Sequence, residues 1–291
     1  MPQALPERLG VVILQLAGAL VRMFFVVLLV ATPSLILPGV TSDGAQIIVL
    51  ISIFAAALVL FEYASAYPGL VEFRDAPPFN RIRFASLWVT VILLSLLVRH
   101  TMEPSAVTGV VLDVGMRVGD VVDFAYSPVR LVVSMLPADT NPIHAELVRN
   151  ASGLAYLISI VTLGVFIILQ RLFRWPLRSG TFNVWVNLPT FDPTAGGDVV
   201  SRLERDARFN IALGFLLPFL TPAVITSATS LFGAVSLGNP HTLIWTVAAW
   251  AFLPASLFMR GIAMARIAGM ITDMRLVSRH AEDGNEGLLP A

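Results

Sequence analysis

The sequence predicts an all-α fold: a polytopic helical membrane protein with about six transmembrane helices and an amphipathic helical cap on the non-cytoplasmic side. Three observations carry this. The chain of 291 residues is 56% hydrophobic and 13% charged, with mean hydropathy +0.81, whereas soluble domains carry roughly 25% charge. Apolar runs long enough to cross about 30 Å of hydrocarbon recur along it. Its basic residues, all arginine, gather in alternate loops. There is no cysteine, which excludes disulfide frameworks, thiolate metal sites and thiol catalysis. The formal net charge of zero removes any global argument for nucleic acid.

The whole of 1–291 reads as one integral membrane domain, with spans near 19–40, 45–66, 84–102, 152–172, 209–235 and 242–262. The first apolar stretch starts near Leu9 and is too long for a simple span. Arg8, Gln15 and Arg22 recur every seven residues within it and so lie close to one face of a helix. An interfacial approach helix is therefore expected before the span proper, which starts after Arg22. Glu62, with Tyr63 and Tyr67, falls at the end of the second span, where a solvated interfacial carboxylate is expected.

Orientation follows from arginine. The loops near 67–83 and 173–208 carry Arg74, Arg81, Arg83, Arg174, Arg178, Arg202, Arg205 and Arg208, and the C-terminal segment adds Arg266, Arg275 and Arg279. The short connections at 41–44 and 236–241 carry none. By the positive-inside rule both termini and both arginine-rich loops are cytoplasmic, which places the chain in a bacterial inner (cytoplasmic) membrane. The segment 103–151 is then outside. There Val107, Val110, Val111, Val114, Val118, Val121, Val122 and Ala125 follow helical spacing, opposite Asp113, Arg117, Asp120 and Asp123. The valine face is expected to pack on the spans or on a partner. A second short helix should start near Pro128 and end by Pro137.

The fifth span, "LLPFLTPAVITSATS", is unusual. Pro218 and Pro222 each remove a backbone donor, and Thr221, Thr226, Ser227, Thr229 and Ser230 can re-satisfy the freed carbonyls. A kinked or broken helix is expected, and Pro218, Thr221, Pro222, Thr226 and Ser227 would line a solute pathway if the chain were a permease. In the sixth span Gly261, Ala265 and Gly269 are spaced as a close-packing face.

The polar stretch "WVNLPTFDPTAGGD" precedes the fifth span. Asp198 suits an N-cap, and Val199, Val200, Leu203 and Ala207 form an apolar stripe opposite Arg202, Arg205 and Arg208. A docking loop is expected, with Trp185 and Phe191 at headgroup level and Asp192, Asp198, Arg202 and Arg205 at the surface. Asp192, Asp198 and Asp206 could instead hold Mg²⁺ and a lipid-linked phosphate, although their spacing matches no acidic repeat of a phosphotransferase.

These readings favour a non-enzymatic multi-pass inner-membrane protein, a subunit or scaffold of a membrane complex. A small-solute permease and a membrane enzyme acting on a lipid-linked phosphate are the alternatives. No catalytic residue, metal or cofactor is expected. The expected partners are the lipid bilayer and either another protein or further copies of the chain.

Overall fold

The computed structural model describes residues 5–286 except 40, 174, 177–182, 193, 195 and 233–236; the side chains of 5–9, 11, 12, 184, 185, 228–232 and 281–286 also lie outside the described set. The described residues form helices and no strands: α1 (Leu5–Ile36), α2 (Ser42–Ala64), α3 (Phe79–His100), α4 (Ala106–Val122), α5 (Pro128–Val133), α6 (Pro142–Leu172), α7 (Val184–Asn187), α8 (Val199–Phe232) and α9 (Pro240–Glu286). Six of them, α1, α2, α3, α6, α8 and α9, are long and apolar enough to cross a membrane. Large side chains such as Ile47, Leu50, Phe54 and Phe61 on α2 are more than half exposed. That surface suits hydrocarbon, whereas water would penalise it.

The long helices run in alternating directions, so the loops 65–78 and 173–198 share one end of the bundle. This arginine-rich end also receives the late turns of α9. The core divides in two along the bundle. One cluster joins Val91, Leu94 and Leu97 of α3, Ala151 and Leu154 of α6, and Ile244, Val247 and Ala248 of α9. The other lies at the arginine-rich end, where Phe73, Trp175, Leu188 and Phe191 from the loops meet Phe79, Phe166, Leu203, Met259 and Met264.

Several expectations are corrected. The first helix has no break: α1 is continuous past Arg22. Gln15 Nε2 donates to the carbonyls of Tyr63 and Ala64 at 3.2 and 3.4 Å, which sets Gln15 level with the last turn of α2. Arg22 is exposed, and its guanidinium reaches back to the Gly18 carbonyl at 2.7 Å. A long side chain can thus point its charge toward the bundle end without the helix breaking.

The valine face of α4 divides: Val111, Val118 and Val122 pack against the core as expected, and the others face outward. Val107, Val110, Val114 and Val121 are 65, 63, 46 and 78% exposed. The buried residues of this helix are Thr108, Gly115 and Gly119. A Cβ on Gly119 would lie 2.7 Å from Asn150 Oδ1, and one on Gly153 would lie 3.0 Å from the Gly119 Cα. Glycine lets α4 and α6 cross at backbone distance, and that crossing leaves the outer valines of the stripe exposed. It also buries Asn150 to 1% exposure.

The fifth span is also unbroken, since α8 is helical through both prolines and begins at Val199, so the apolar stripe after Asp198 and the span form one helix. Pro222 cannot donate to the Pro218 carbonyl, and the Trp250 indole of α9 takes over that bond at 3.2 Å. The proposed stripe on α9 divides as well. Gly261 is buried, and a Cβ there would lie 2.7 Å from the Ala207 carbonyl, whereas Ala265 and Gly269 are exposed. With Gly214, whose Cβ would lie 2.8 Å from the Pro254 carbonyl, Gly261 sets the close approach of α8 and α9.

Candidate functional site at the arginine-rich end

The connection after α2 folds back on itself. Arg74 donates to the carbonyls of Glu62 and Ser65 at 3.0 and 2.6 Å, satisfying the open end of the helix. Beneath it the Glu62 carboxylate accepts the N–H groups of Gly69, Leu70 and Val71 at 2.9–3.2 Å. Glu62 is only 3% exposed, so the expected solvated carboxylate is instead the anchor of a tight loop. Phe73 follows with φ 51°, a left-handed conformation costly for a bulky residue. Its burial, with 1% exposed, and its N–H bond to the Asn187 carbonyl at 2.7 Å hold it there.

The second connection locks onto the first. Asn187 Oδ1 accepts the Asp75 N–H at 3.0 Å, and the Trp175 indole donates to the Ala76 carbonyl at 2.9 Å. Trp175 packs against Phe73, Phe79 and Phe166, with ring centroids 5.6–6.5 Å apart.

Both connections are then pinned to the spans. Arg260 of α9 donates from Nε and Nη2 to the two oxygens of Glu72, at 2.6 and 2.8 Å. Its Nη1 donates to Asn210 Oδ1 of α8 at 3.0 Å. Thr190 Oγ1 of the second loop donates to Glu72 Oε1 at 2.8 Å. A forked guanidinium–carboxylate pair is the most directional ion pair available to a protein, and the Glu72 side chain is only 12% exposed. One cation thus ties two loops and two helices. Arg260 and Thr190 occupy three of the roughly four acceptor positions of the Glu72 carboxylate, which makes it a brace between loops and spans.

The residues singled out from sequence fall into two groups. Of the loop set, Asp198 accepts the Ser201 N–H at 3.1 Å at the start of α8 and pairs with Arg275 of α9 at 2.6 Å. The Arg275 hydrogen bond, then the Ser201 N–H, holds its carboxyl below the usual range. Asp192 closes an exposed turn, accepting the Thr194 N–H and hydroxyl at 2.8 and 2.6 Å. Arg202 lies over the Phe191 ring at 4.8 Å and donates to the Asp192 carbonyl at 2.8 Å. Arg205 remains 70% exposed beside Asp206. Trp185 belongs to α7, but its side chain lies outside the described residues. Phe191, expected at headgroup level, is 5% exposed within the core. The three aspartates turn to different neighbours: Asp192 to Thr194, Asp198 to Arg275 and Asp206 to Arg205.

The second group is the proline segment. Pro218 and Pro222 are buried, Thr221 is half-buried, and Thr226 and Ser227 are exposed. Thr221, Thr226 and Ser227 donate to the Leu217, Pro222 and Ala223 carbonyls at 2.6–2.9 Å, so their protons are used within α8. The side chains of Thr229 and Ser230 lie outside the described residues. An apolar cleft beside this segment is lined by Tyr156, Ser159, Phe215, Pro218, Pro254 and Phe258.

Sequence reasoning missed Glu72, Asn210, Thr190 and Arg260 as a set, because Glu72 and Arg260 are 188 positions apart. The only local signal was an arginine inside an apolar run, which implies a partner. Among the described residues no group of three or more His, Asp or Glu could hold a metal ion. Comparison of the chain with protein-family models, curated proteins and solved structures finds no match.

Proposed function

We propose that this protein is a non-enzymatic multi-pass subunit or scaffold of a bacterial inner-membrane complex, with its arginine-rich end and both termini in the cytoplasm. The Glu72–Arg260–Asn210–Thr190 brace carries the reading. It spends buried charge on holding two loops rigid against the spans, and a rigid folded face is what docking requires. The exposed groups of that face are the Asp192 turn, the Asp198–Arg275 pair and the late turns of α9, where Met274 and Val277 are 54 and 71% exposed. Arginine enrichment at this end supports its cytoplasmic orientation.

Purification of the full chain in mild detergent tests the proposal. A stoichiometric heterologous partner is expected, and it should be lost from the Arg275→Glu, Val277→Asp double variant while the chain stays folded. A homogeneous chain without partner, which after reconstitution carries a solute across vesicles in a manner abolished by Phe215→Trp, would replace this reading with the permease. That variant narrows the apolar cleft beside Pro218, the observation that favours the second reading.

A further inference from the structure

Two arginines near the arginine-rich end have no carboxylate partner among the described residues, and they stand around one tyrosine. Arg22 of α1 lies over the Tyr63 ring of α2, 4.5 Å from its centroid. Arg83, one turn into α3, lies 5.4 Å from the Phe79 centroid and 5.7 Å from that of Phe252 on α9. Among the described residues it makes one hydrogen bond, a long one from Nη1 to Asn80 Oδ1 at 3.4 Å, and its buried Nε has no partner there. The segments of α1 and α3 that bear the two arginines lie side by side, with the Phe25 and Phe84 ring centroids 6.2 Å apart.

The neighbouring acids are already committed. Glu62 is held by three backbone N–H groups and faces Arg74, while Glu72 is forked onto Arg260. Glu72 still acts on Arg83 through space, but among the described residues neither Arg22 nor Arg83 has a direct carboxylate bond, and for the largely enclosed Arg83 that is costly. The start of α3 adds to the positive field, because Pro78 at its N-cap makes no side-chain bond and its first turn has no acidic residue. Next to Arg22 along α1, the apolar side chains of Val21 and Phe24 are 55 and 61% exposed.

We propose that Arg22, Tyr63 and Arg83 bind the phosphate group of an anionic phospholipid, whose acyl chains lie along α1. The guanidiniums supply charge-assisted donors, the Tyr63 hydroxyl a third, and a phosphodiester supplies the acceptors. This does not depend on the scaffold reading, since it concerns the lipid around the chain and not a protein partner.

Native mass spectrometry of the detergent-purified full chain, titrated with phosphatidylglycerol, phosphatidylcholine or inorganic phosphate, tests it. Phosphatidylglycerol should bind in preference to phosphatidylcholine. Arg22→Gln, at an exposed site, should weaken it about fivefold, and Arg22→Gln with Arg83→Gln roughly thirtyfold. Arg83→Lys, which keeps the charge, should retain most binding, and Arg117→Gln on exposed α4 should leave it unchanged. Equal binding of the two lipids, or undiminished phosphatidylglycerol binding to the folded Arg22→Gln variant, would overturn the proposal. Displacement of the lipid by millimolar inorganic phosphate would overturn the lipid assignment in favour of a soluble phosphate.

Discussion

Arg260 shows how a single side chain can decide a local structure. Replacing it by alanine leaves Glu72 largely buried without its fork and leaves Asn210 Oδ1 without its donor. Losing one partner of such a pair costs on the order of 3 kcal/mol, more than the intact pair contributes over an apolar substitute. Arg260→Ala should therefore lower the thermal midpoint in detergent markedly, and Arg260→Met with Glu72→Gln should recover part of it. A midpoint unchanged by Arg260→Ala would show that the brace contributes no stability. At the surface, Asp198 makes a pH prediction. Its folded pKa lies below the ordinary carboxylate value, so the stability from its bonds is fully present above that ordinary value and fades as pH falls through the lowered one. Thermal midpoints of wild type and Asp198→Asn should thus converge in acid and separate toward neutral pH. Equal midpoints at neutral pH would refute the linkage.

At the scale of helices, what was legible in the sequence depended on how local the signal was. The six apolar runs and the Asp198 start of α8 are written within a few neighbouring residues, and they survive folding. The packed faces are not, because they depend on which backbone a helix meets. Valine spacing on α4 pointed to one packed stripe, while the crossing with α6 at the glycines at 115 and 119 leaves part of it exposed. The small-residue stripe on α9 likewise contains one residue that packs and two that do not. Gly261→Val should force α8 and α9 apart, destabilising by about 1–3 kcal/mol. Gly269→Ala meets nothing within 4 Å and should be neutral or stabilising by up to about 1 kcal/mol. Urea or thermal unfolding of the two variants measures the difference, and equal effects would mean that the close approach at Gly261 is not what holds the pair.

For the whole molecule, the pairing of the loops was invisible in sequence because its bonds join residues about a hundred positions apart, such as Asp75 with Asn187, 112 positions on. What the sequence does carry at this scale is a charge asymmetry, and it makes a prediction about orientation. The arginine-rich end would have to move several guanidiniums across hydrocarbon to reach the far side, each at a cost of about 3 kcal/mol at the helix centre on insertion scales. Among the described residues the opposite end carries the α4–α5 segment, where Asp123 pairs with Arg130 at 2.7 Å and Asp120 with Arg149 at 3.1 Å. The chain has no cysteine, so single cysteines report position without background. Val121→Cys replaces a side chain that is 78% exposed on α4, and Gly196→Cys occupies open space in the loop before α8. In intact bacterial cells a membrane-impermeant maleimide should label Val121→Cys, and should label Gly196→Cys only after permeabilisation. The reverse pattern would place the arginine-rich end outside and remove the cytoplasmic docking face on which the proposed function stands.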